Sequence, residues 1–317
     1  MKLYEEKKFE LDDDVSNYLP FDLKNPNFPD INISFKMLLS NRSSLIDFDS
    51  FCHQIPGDPD VSYYPNPYLR DVLLSNGRIY LPTVWSENEG PGETFLCSNA
   101  GFGIIEYLVE CISGKSFNDF CKQNIFSKLN MKDTSFRLND LDTKRVAIPY
   151  EYQRKPNEFK KYQKGIYKRQ IHYGWIPYGS ANLRSTIEDL SHFLIAHMNN
   201  GYYNEKKLLE GSTIELMHKN HYPNQHTNWG KSTNYGLGII IHNKLNSDKI
   251  KSIGHWGVPY NRMFFKPAEK TGVIIFMNVM ACPLSNNLSF RHKISGMKMF
   301  GIIKHIESML FKKAKKL

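Results

Sequence analysis

Apolar positions recur at helical spacing between Ala100 and Ile112. Ile104, Ile105, Leu108 and either Cys111 or Ile112 share one face, and Gly114 closes the segment, so the pattern predicts a helix there. A second helix is expected from Phe117 to Leu129. A third is expected from Thr186 to Met198, opened by Ser185 or Thr186 with Asp189 in a capping-box-like arrangement and ended by Asn199-Asn200-Gly201. Ser34 is a plausible N-cap for a short helix over 35–39. The stretch from Asp49 to Gly92 is crowded with Pro, Gly, Asn and Tyr and reads as loop. In the last third the pattern changes. Tyr235–Ile241, Arg262–Phe265 and Gly272–Asn278 are short, rich in β-formers and separated by turn residues, as successive antiparallel strands would be. An amphipathic stretch from Lys293 to Lys313 predicts a closing helix. Helices first, then strands, then a helix make an α+β pattern. One domain over 1–317 is expected, with a helical part at roughly 30–215 and the sheet and closing helix at roughly 220–317.

The 317 residues are 41% hydrophobic and 23% charged, which are globular values that exclude disordered and fibrous classes. Lys and Arg number 41 against 32 Asp and Glu, a net charge of +9. Much of the excess lies between Lys155 and Arg169 and in the run Lys312, Lys313, Lys315 and Lys316. Such runs are commonly solvated faces, with nucleic acid or a membrane surface as the competing partners. Cys52, Cys97, Cys111, Cys121 and Cys282 are scattered with no CxxC pair, so neither a zinc site nor a disulfide framework is expected. The opening residues Met1 to Lys7 lack the apolar core of a signal peptide, and no stretch has the roughly 18 apolar residues of a membrane span.

Six segments, taken together and in order, resemble the β-lactamase-related serine hydrolase family, which includes class C β-lactamases, penicillin-binding proteins, D-Ala-D-Ala carboxypeptidases and related esterases. LYEEKKFELDDDVSNYLP (3–20) is similar to the family's lvEeGkl.LdDpVskYLP. INISFKMLLSNRSSLID (31–47) is similar to iTirhLLsHtSGl. The segment FLCSNAGFGIIEYLVECISGKSFNDFCKQNIFSKLNMKDTSF (95–136) resembles f.YSN.gy.lLg.iiE..tGk.f.ef....If.pLgM.dTsf. YGSANLRSTIEDLSHFLIAHMNNG (178–201) resembles paG.l.ST..DLa.Fl.all.gG, and YGLGIII and GHWGVPYNRMFFKPAEKTGVIIFMN resemble the closing strands and the motif between them. The resemblance implies a β-lactamase/transpeptidase-like fold, an antiparallel sheet flanked by helices, and acyl transfer on ester, amide or D-amino-acid peptide bonds.

In that chemistry a Ser of a Ser-x-x-Lys motif attacks a carbonyl. A serine hydroxyl needs an adjacent base, and the resemblance assigns the proton work to the Lys and to a Tyr of a Tyr-x-Asn motif. Here Cys97-Ser98-Asn99 stands at the second motif: Asn99 keeps the substrate-orienting amide, and Cys97 replaces the phenol. A thiol there reads chiefly as a small buried residue filling the ring's space, and as a base or nucleophile only if neighbours such as His255 lower its pKa. His255-Trp256-Gly257 stands at the third motif. Gly257 lets a substrate backbone approach, and the Val258 amide is the carried-over oxyanion donor. Trp256 has no hydroxyl to bind a carboxylate, which argues against penicillin recognition.

The first motif is not found ahead of Leu3, where the resemblance would put it. The one Ser-x-x-Lys string, Ser295-Gly296-Met297-Lys298, falls in the closing helix at the wrong end of the pattern, where chance explains it. The expectation is therefore a domain without its first strands and nucleophile helix, inactive as given. The lost burial would be on the order of 10 kcal/mol, comparable to the stability of a whole domain, so the chain would be marginal, aggregation-prone or completed by a separate polypeptide. Three readings follow: a serine hydrolase homologue acting on a small-molecule or peptide substrate, a non-catalytic ligand-binding pseudoenzyme, or a basic protein that binds nucleic acid, through the stretch Tyr150–Tyr173, or a membrane surface. The resemblance favours the first and makes that stretch a hairpin-like excursion. It implies no metal or other cofactor and no nucleic-acid partner. Relatives are mostly exported or membrane-anchored, and the compartment is left open.

Overall fold

The strongest periodic segment forms a helix within one residue of its expected limits, and the rest of the chain is arranged around it. The computed structural model describes residues 1–46, 53–57, 65–153, 166–223, 225, 227–230, 232–244, 247, 249–257, 261–280 and 305–314. In chain order the elements are α1 (Lys2–Glu5), α2 (Phe35–Leu39), β1 (His53–Pro56), α3 (Pro65–Leu73), α4 (Asn99–Ser113) and α5 (Phe117–Cys121). Then come β2 (Tyr150–Gln153), β3 (Ile166–Arg169), β4 (Tyr173–Ile176), α6 (Ile187–Met198), β5 (Tyr202–Tyr203), β6 (Lys206–Lys207) and α7 (Gly211–Met217). The last part holds β7 (Thr233–Tyr235), β8 (Ile240–Asn243), β9 (Ile250–Gly257), β10 (Asn261–Lys266), β11 (Thr271–Ile275) and β12 (Val279–Met280), and a helix α8 at 305–314.

Helix α4 begins where Ser98 accepts a hydrogen bond from the Gly101 N–H and ends at Gly114, whose φ of 66° is open to glycine without strain. Its inner face carries Ala100, Ile104 and Leu108 into a core with Leu38 of α2, Leu69, Val72 and Leu73 of α3, and Trp85. Each such side chain adds about 1.5–3 kcal/mol when fully buried. The opposite face, with Gly103 against Pro177, buries Glu106, which accepts the Gly179 N–H at 2.7 Å. A side chain at position 179 would meet Glu106 Oε2 at 2.8 Å, so this carboxyl fits only against a glycine.

Three local expectations change. Inside the stretch read as loop, β1 pairs with β4 and α3 forms, because Leu69, Val72 and Leu73 sit at helical spacing and all reach the core. The helix expected from Phe117 to Leu129 is α5 followed by a π turn over Lys122–Phe126. The single strand expected at Tyr235–Ile241 is a hairpin. Gly236 donates to Ile239 O at 2.8 Å, and Gly238 takes a φ of 75° that allows the reversal. Of the closing helix, 305–314 is helical, and the remainder of its expected span lies outside the described residues. The basic excursion is a hairpin of β2 and β3, with 154–165 outside the described residues.

The main sheet is antiparallel with order β11-β10-β9-β8-β7. One rung crosses all five strands: Tyr235 opposite Ile240, Ile240 opposite Gly254, Gly254 opposite Phe264, and Phe264 opposite Val273. Side chains on a rung share a face, and Tyr235, Ile240, Phe264 and Val273 form one cluster there with Phe95 and Phe311 of α8. A Cβ at Gly254 would lie 2.0 Å from Met263 O, so the rung needs glycine at its centre. The other face packs Ile239, Ile253 and Phe265 against Leu194 of α6. Helices on an antiparallel sheet bear out the α+β expectation.

Candidate functional site

Two backbone anchors shape the start of α4. The Leu96 N–H donates to Asn41 O at 2.8 Å and the Ser98 N–H donates to Asn41 Oδ1 at 3.0 Å. Asn41 has φ 57°, a left-handed conformation that Asn tolerates better than most residues. With Ser98 buried as the cap, the alternation turns Cys97 and Asn99 outward, and both are exposed, so Cys97 is not the small buried residue expected in the ring's place. Cys97 is in no disulfide. The next residue, Arg42, has a buried side chain held by Glu93 O at 3.2 Å, by Gln225 Oε1 and by the Tyr222 ring.

Tyr235 lies beside this segment. Its ring centroid is 5.4 Å from that of Phe95, and it is buried. Burial, then the nearby charge of a Cys97 thiolate, hold the phenol protonated far above its ordinary range, with Asn41 acting the other way. The first wall of the site is thus Cys97 and Asn99 on the outside, backed by Asn41 and Tyr235.

The second wall is β9. His255 pairs with Met263, and Gly257, the last residue of the strand, pairs with Asn261. His255 follows Gly254 on the rung that starts at Tyr235, so two strand spacings, about 10 Å, separate its strand from Tyr235. Register puts the His255 side chain on the face of Met263, opposite the Tyr235 face. The residue has an exposed surface although protein crowds around it, and the crowding disfavours the imidazolium and lowers its pKa. Val258, Ser295 and Lys298 lie outside the described residues. Cys97 and Asn99 are therefore adjacent, whereas His255 stands two strands from Tyr235 with its side chain on the other face of the sheet. Among the described residues no three His, Cys, Asp or Glu side chains gather as a metal site would require.

A family model described as Beta-lactamase matches residues 1–286. The chain belongs to the Beta-lactamase family. It is 26% identical over 202 residues to Protein flp of Staphylococcus aureus strain MRSA252, covering 63% of this chain and 36% of that protein. It is 23% identical over 269 residues to Penicillin-binding protein 4* of Bacillus subtilis, covering 80% of this chain and 52% of that protein. The chain thus spans about a third to a half of the length of these two relatives. The crystal structure of a penicillin-binding protein from Bacillus halodurans superposes with a TM-score of 0.64 at 20% identity, over 94% of this chain and 80% of that one. The β-lactamase/transpeptidase-like fold follows from these likenesses.

Against the Beta-lactamase family pattern quoted above, two glycine positions carry side chains here. Lys7 and Ser44 stand where the pattern has Gly, and both keep left-handed backbones, with φ 54° and 60°. A side chain there costs about 1–2 kcal/mol. At Ser44 a buried bond offsets part of this, since Asn25 Nδ2 donates to Ser44 Oγ at 3.0 Å and to Ser86 O at 2.8 Å. Asn41 and Tyr235 were not among the residues expected in the site. Asn41 stands where the pattern has His, a substitution visible in LLSNRSSL, whereas Tyr235 read only as the start of a strand.

Proposed function

We propose that the chain forms part of an acyl-transfer site for an ester, amide or D-amino-acid peptide bond, and that its own residues do not turn the substrate over. In this reading Asn99 orients the substrate, Gly257 lets its backbone approach β9, and the Val258 amide contributes to an oxyanion hole. His255 marks the start of the same motif. The observation that carries the reading is the clamped start of α4, which holds Asn99 outward at a helix N-terminus with a thiol, Cys97, in the place of the family's phenol. Nucleophilic serine chemistry needs a hydroxyl with an adjacent base. Residues 1–286, which match the family model, contain no Ser-x-x-Lys string.

The exposed thiol also favours a second reading, in which the same residues bind a ligand without cleaving it. Both are tested by incubating the purified chain with nitrocefin and p-nitrophenyl esters. The expected result is no turnover above the uncatalysed rate, and no acylated protein by mass spectrometry. Turnover that disappears on His255→Ala overturns the inactivity. Calorimetry with a D-Ala-D-Ala peptide then tests the binding that both readings require: saturable binding lost on Asn99→Ala, with no cleavage, supports them, and no saturable binding counts against both.

A further inference from the structure

His197 and His218 form a pair that plays no part in the site described above. His197 Nδ1, in the last turn of α6, lies 3.1 Å from Nε2 of His218, the residue that ends α7. His197 is buried, and the two rings sit between Phe193 and Phe265, at 4.6 and 5.6 Å between centroids. In such a bond one nitrogen donates and the other accepts, so one of the facing nitrogens must be bare. The charged groups nearby are engaged elsewhere. On α6, Asp189 accepts from the Asp133 N–H and Thr134, and His192 bonds Leu129 O and stacks on Tyr203 of β5. Around His218, Glu215 and Lys219 are exposed and His221 bonds Leu216 O. Lys207 of β6 pairs with Glu210, and Glu269, before β11, with Lys266. Register puts Arg262, Lys266 and His242 on the opposite face of the sheet, and His255 on the face of Phe265. Among the described residues no carboxylate acts on either ring. Burial disfavours charge on both, and at His197 the neighbouring His218 adds to it.

Backbone hydrogen bonds join the pair to the start of α4. Met217 O, next to His218, accepts the Leu237 N–H of the β7–β8 turn at 3.0 Å. A Cβ at Gly236 would lie 2.0 Å from the same oxygen, so the turn and the end of α7 meet as closely as backbones can. The next N–H, of Gly238, donates to Leu39 O at the end of α2 at 2.8 Å. Two residues on, Asn41 holds the N–H groups of Leu96 and Ser98. We infer that His197 and His218 form an acid-operated latch. With one proton between the rings, the end of α7 braces the β7–β8 turn. With both rings protonated, two N–H groups face each other, the rings part, and the turn and the start of α4 loosen. The sign follows from the rings: when parted they return to an ordinary pKa near 6.5, against about 3 and about 4 in place. The latch is therefore fully closed above about pH 6.5. Below it, opening grows by up to about tenfold per pH unit for each ring. That the loosened residues bind a ligand rests on the reading of Asn99 proposed above, whereas the opening itself does not.

The test is backbone-amide hydrogen exchange of the full chain between about pH 7 and pH 5, corrected for the intrinsic exchange rate at each pH. The Leu237 and Gly238 amides are expected to lose protection by about tenfold or more between pH 6 and pH 5, and Ile104 and Leu108 inside α4 by less, because a local opening precedes global unfolding. In the double variant His197→Gln, His218→Gln the two side-chain amides can still bond each other but take up no proton, so the extra loss should disappear. Where that variant does not fold, the parent decides the matter: in the folded chain the imidazole resonances of both histidines should titrate below pH 5. Leu237 and Gly238 losing protection in step with Ile104 and Leu108 overturns the latch. The same acid loss in the double variant, or rings that titrate near pH 6.5 in the folded parent, also overturns it. No arm uses a ligand, so a failure of the latch is distinguishable from a failure of the reading of Asn99.

Discussion

Asn99 stands at the start of a helix sunk in the apolar core around Leu38, Leu73 and Trp85, whereas His255 stands on a sheet covered by two smaller clusters, one on each face. The helical wall is held redundantly. Its start is capped by Ser98, clamped by Asn41 and backed by buried Glu106 on Gly179. The sheet wall depends on one rung with glycine at its centre, and on α6 and α8 for cover. Sheet order leaves β11 at the end, hydrogen-bonded only to β10 among the described strands. The difference teaches that two regions carrying candidate site residues need not share one stability: a region with several independent anchors tolerates the loss of one, and a region built on a single rung does not.

The largest test of that contrast compares two fully buried residues. Phe264→Ala should cost about 3–5 kcal/mol and Leu38→Ala about 2–5 kcal/mol. Hydrogen exchange in urea should show β8–β10 losing protection before α4 in the first variant, and both together in the second. Equal, simultaneous loss in the Phe264 variant would erase the distinction.

Next in size is pH, because the walls carry opposite titrations. On the sheet side His197 of α6 and His218 after α7 lie 3.1 Å apart beneath Phe265. Burial lowers their pKa values to about 3 and about 4, and for His197 the neighbouring His218 adds to the effect. Neutral rings are thus preferred in the folded state, so their contribution is complete above about pH 6.5 and is lost as pH falls toward 4 and 3, by up to about 1.4 kcal/mol per pH unit for each ring. On the helical side burial raises Glu106 well above the usual range, with Gly179 opposing and Glu110 adding. That contribution is present below the ordinary carboxylate pKa and is lost as pH rises through it. Denaturant titrations between pH 4 and 7 should show a steeper acid loss in the parent than in His197→Gln, and a shallower loss of stability toward higher pH in Glu106→Gln. Parallel profiles would refute the assignment.

Asn41→Ala removes the acceptor of the Ser98 N–H and puts a side chain with no polar group at φ 57°. The expected loss is about 1–3 kcal/mol for the unpaired N–H, and roughly 1 kcal/mol more for the backbone. Asn41→Gly keeps the backbone at ease and so separates the two effects in thermal unfolding. The smallest change is a gain. Lys7 is exposed with φ 54°, and Lys7→Gly should stabilise by roughly 0.5–1 kcal/mol, the relief of strain less the entropy of glycine.

Much of this was legible in the chain. Ser34, Ser98 and Thr186 cap helices because a hydroxyl and the N–H three residues on are local partners. The second and third motifs were also readable, as strings at Cys97–Asn99 and His255–Gly257. Helix α3 was missed because its two prolines and Tyr68 masked the spacing of Leu69, Val72 and Leu73. The hairpin at 236–239 was missed because an apolar run through two glycines looks like one strand until the turn is seen.

By itself the sequence determined the order of helices and strands, their caps and the family, since each of these depends on residues within a few positions of one another or on strings that keep their order. Only the tertiary structure decided that Asn41, 57 residues from Ser98 in sequence, is its acceptor, that Tyr235 backs Cys97, and that His255 follows the glycine of a rung beginning at that tyrosine. Those pairings depend on how whole elements pack and on which backbones approach closely, and no short stretch of residues carries that information.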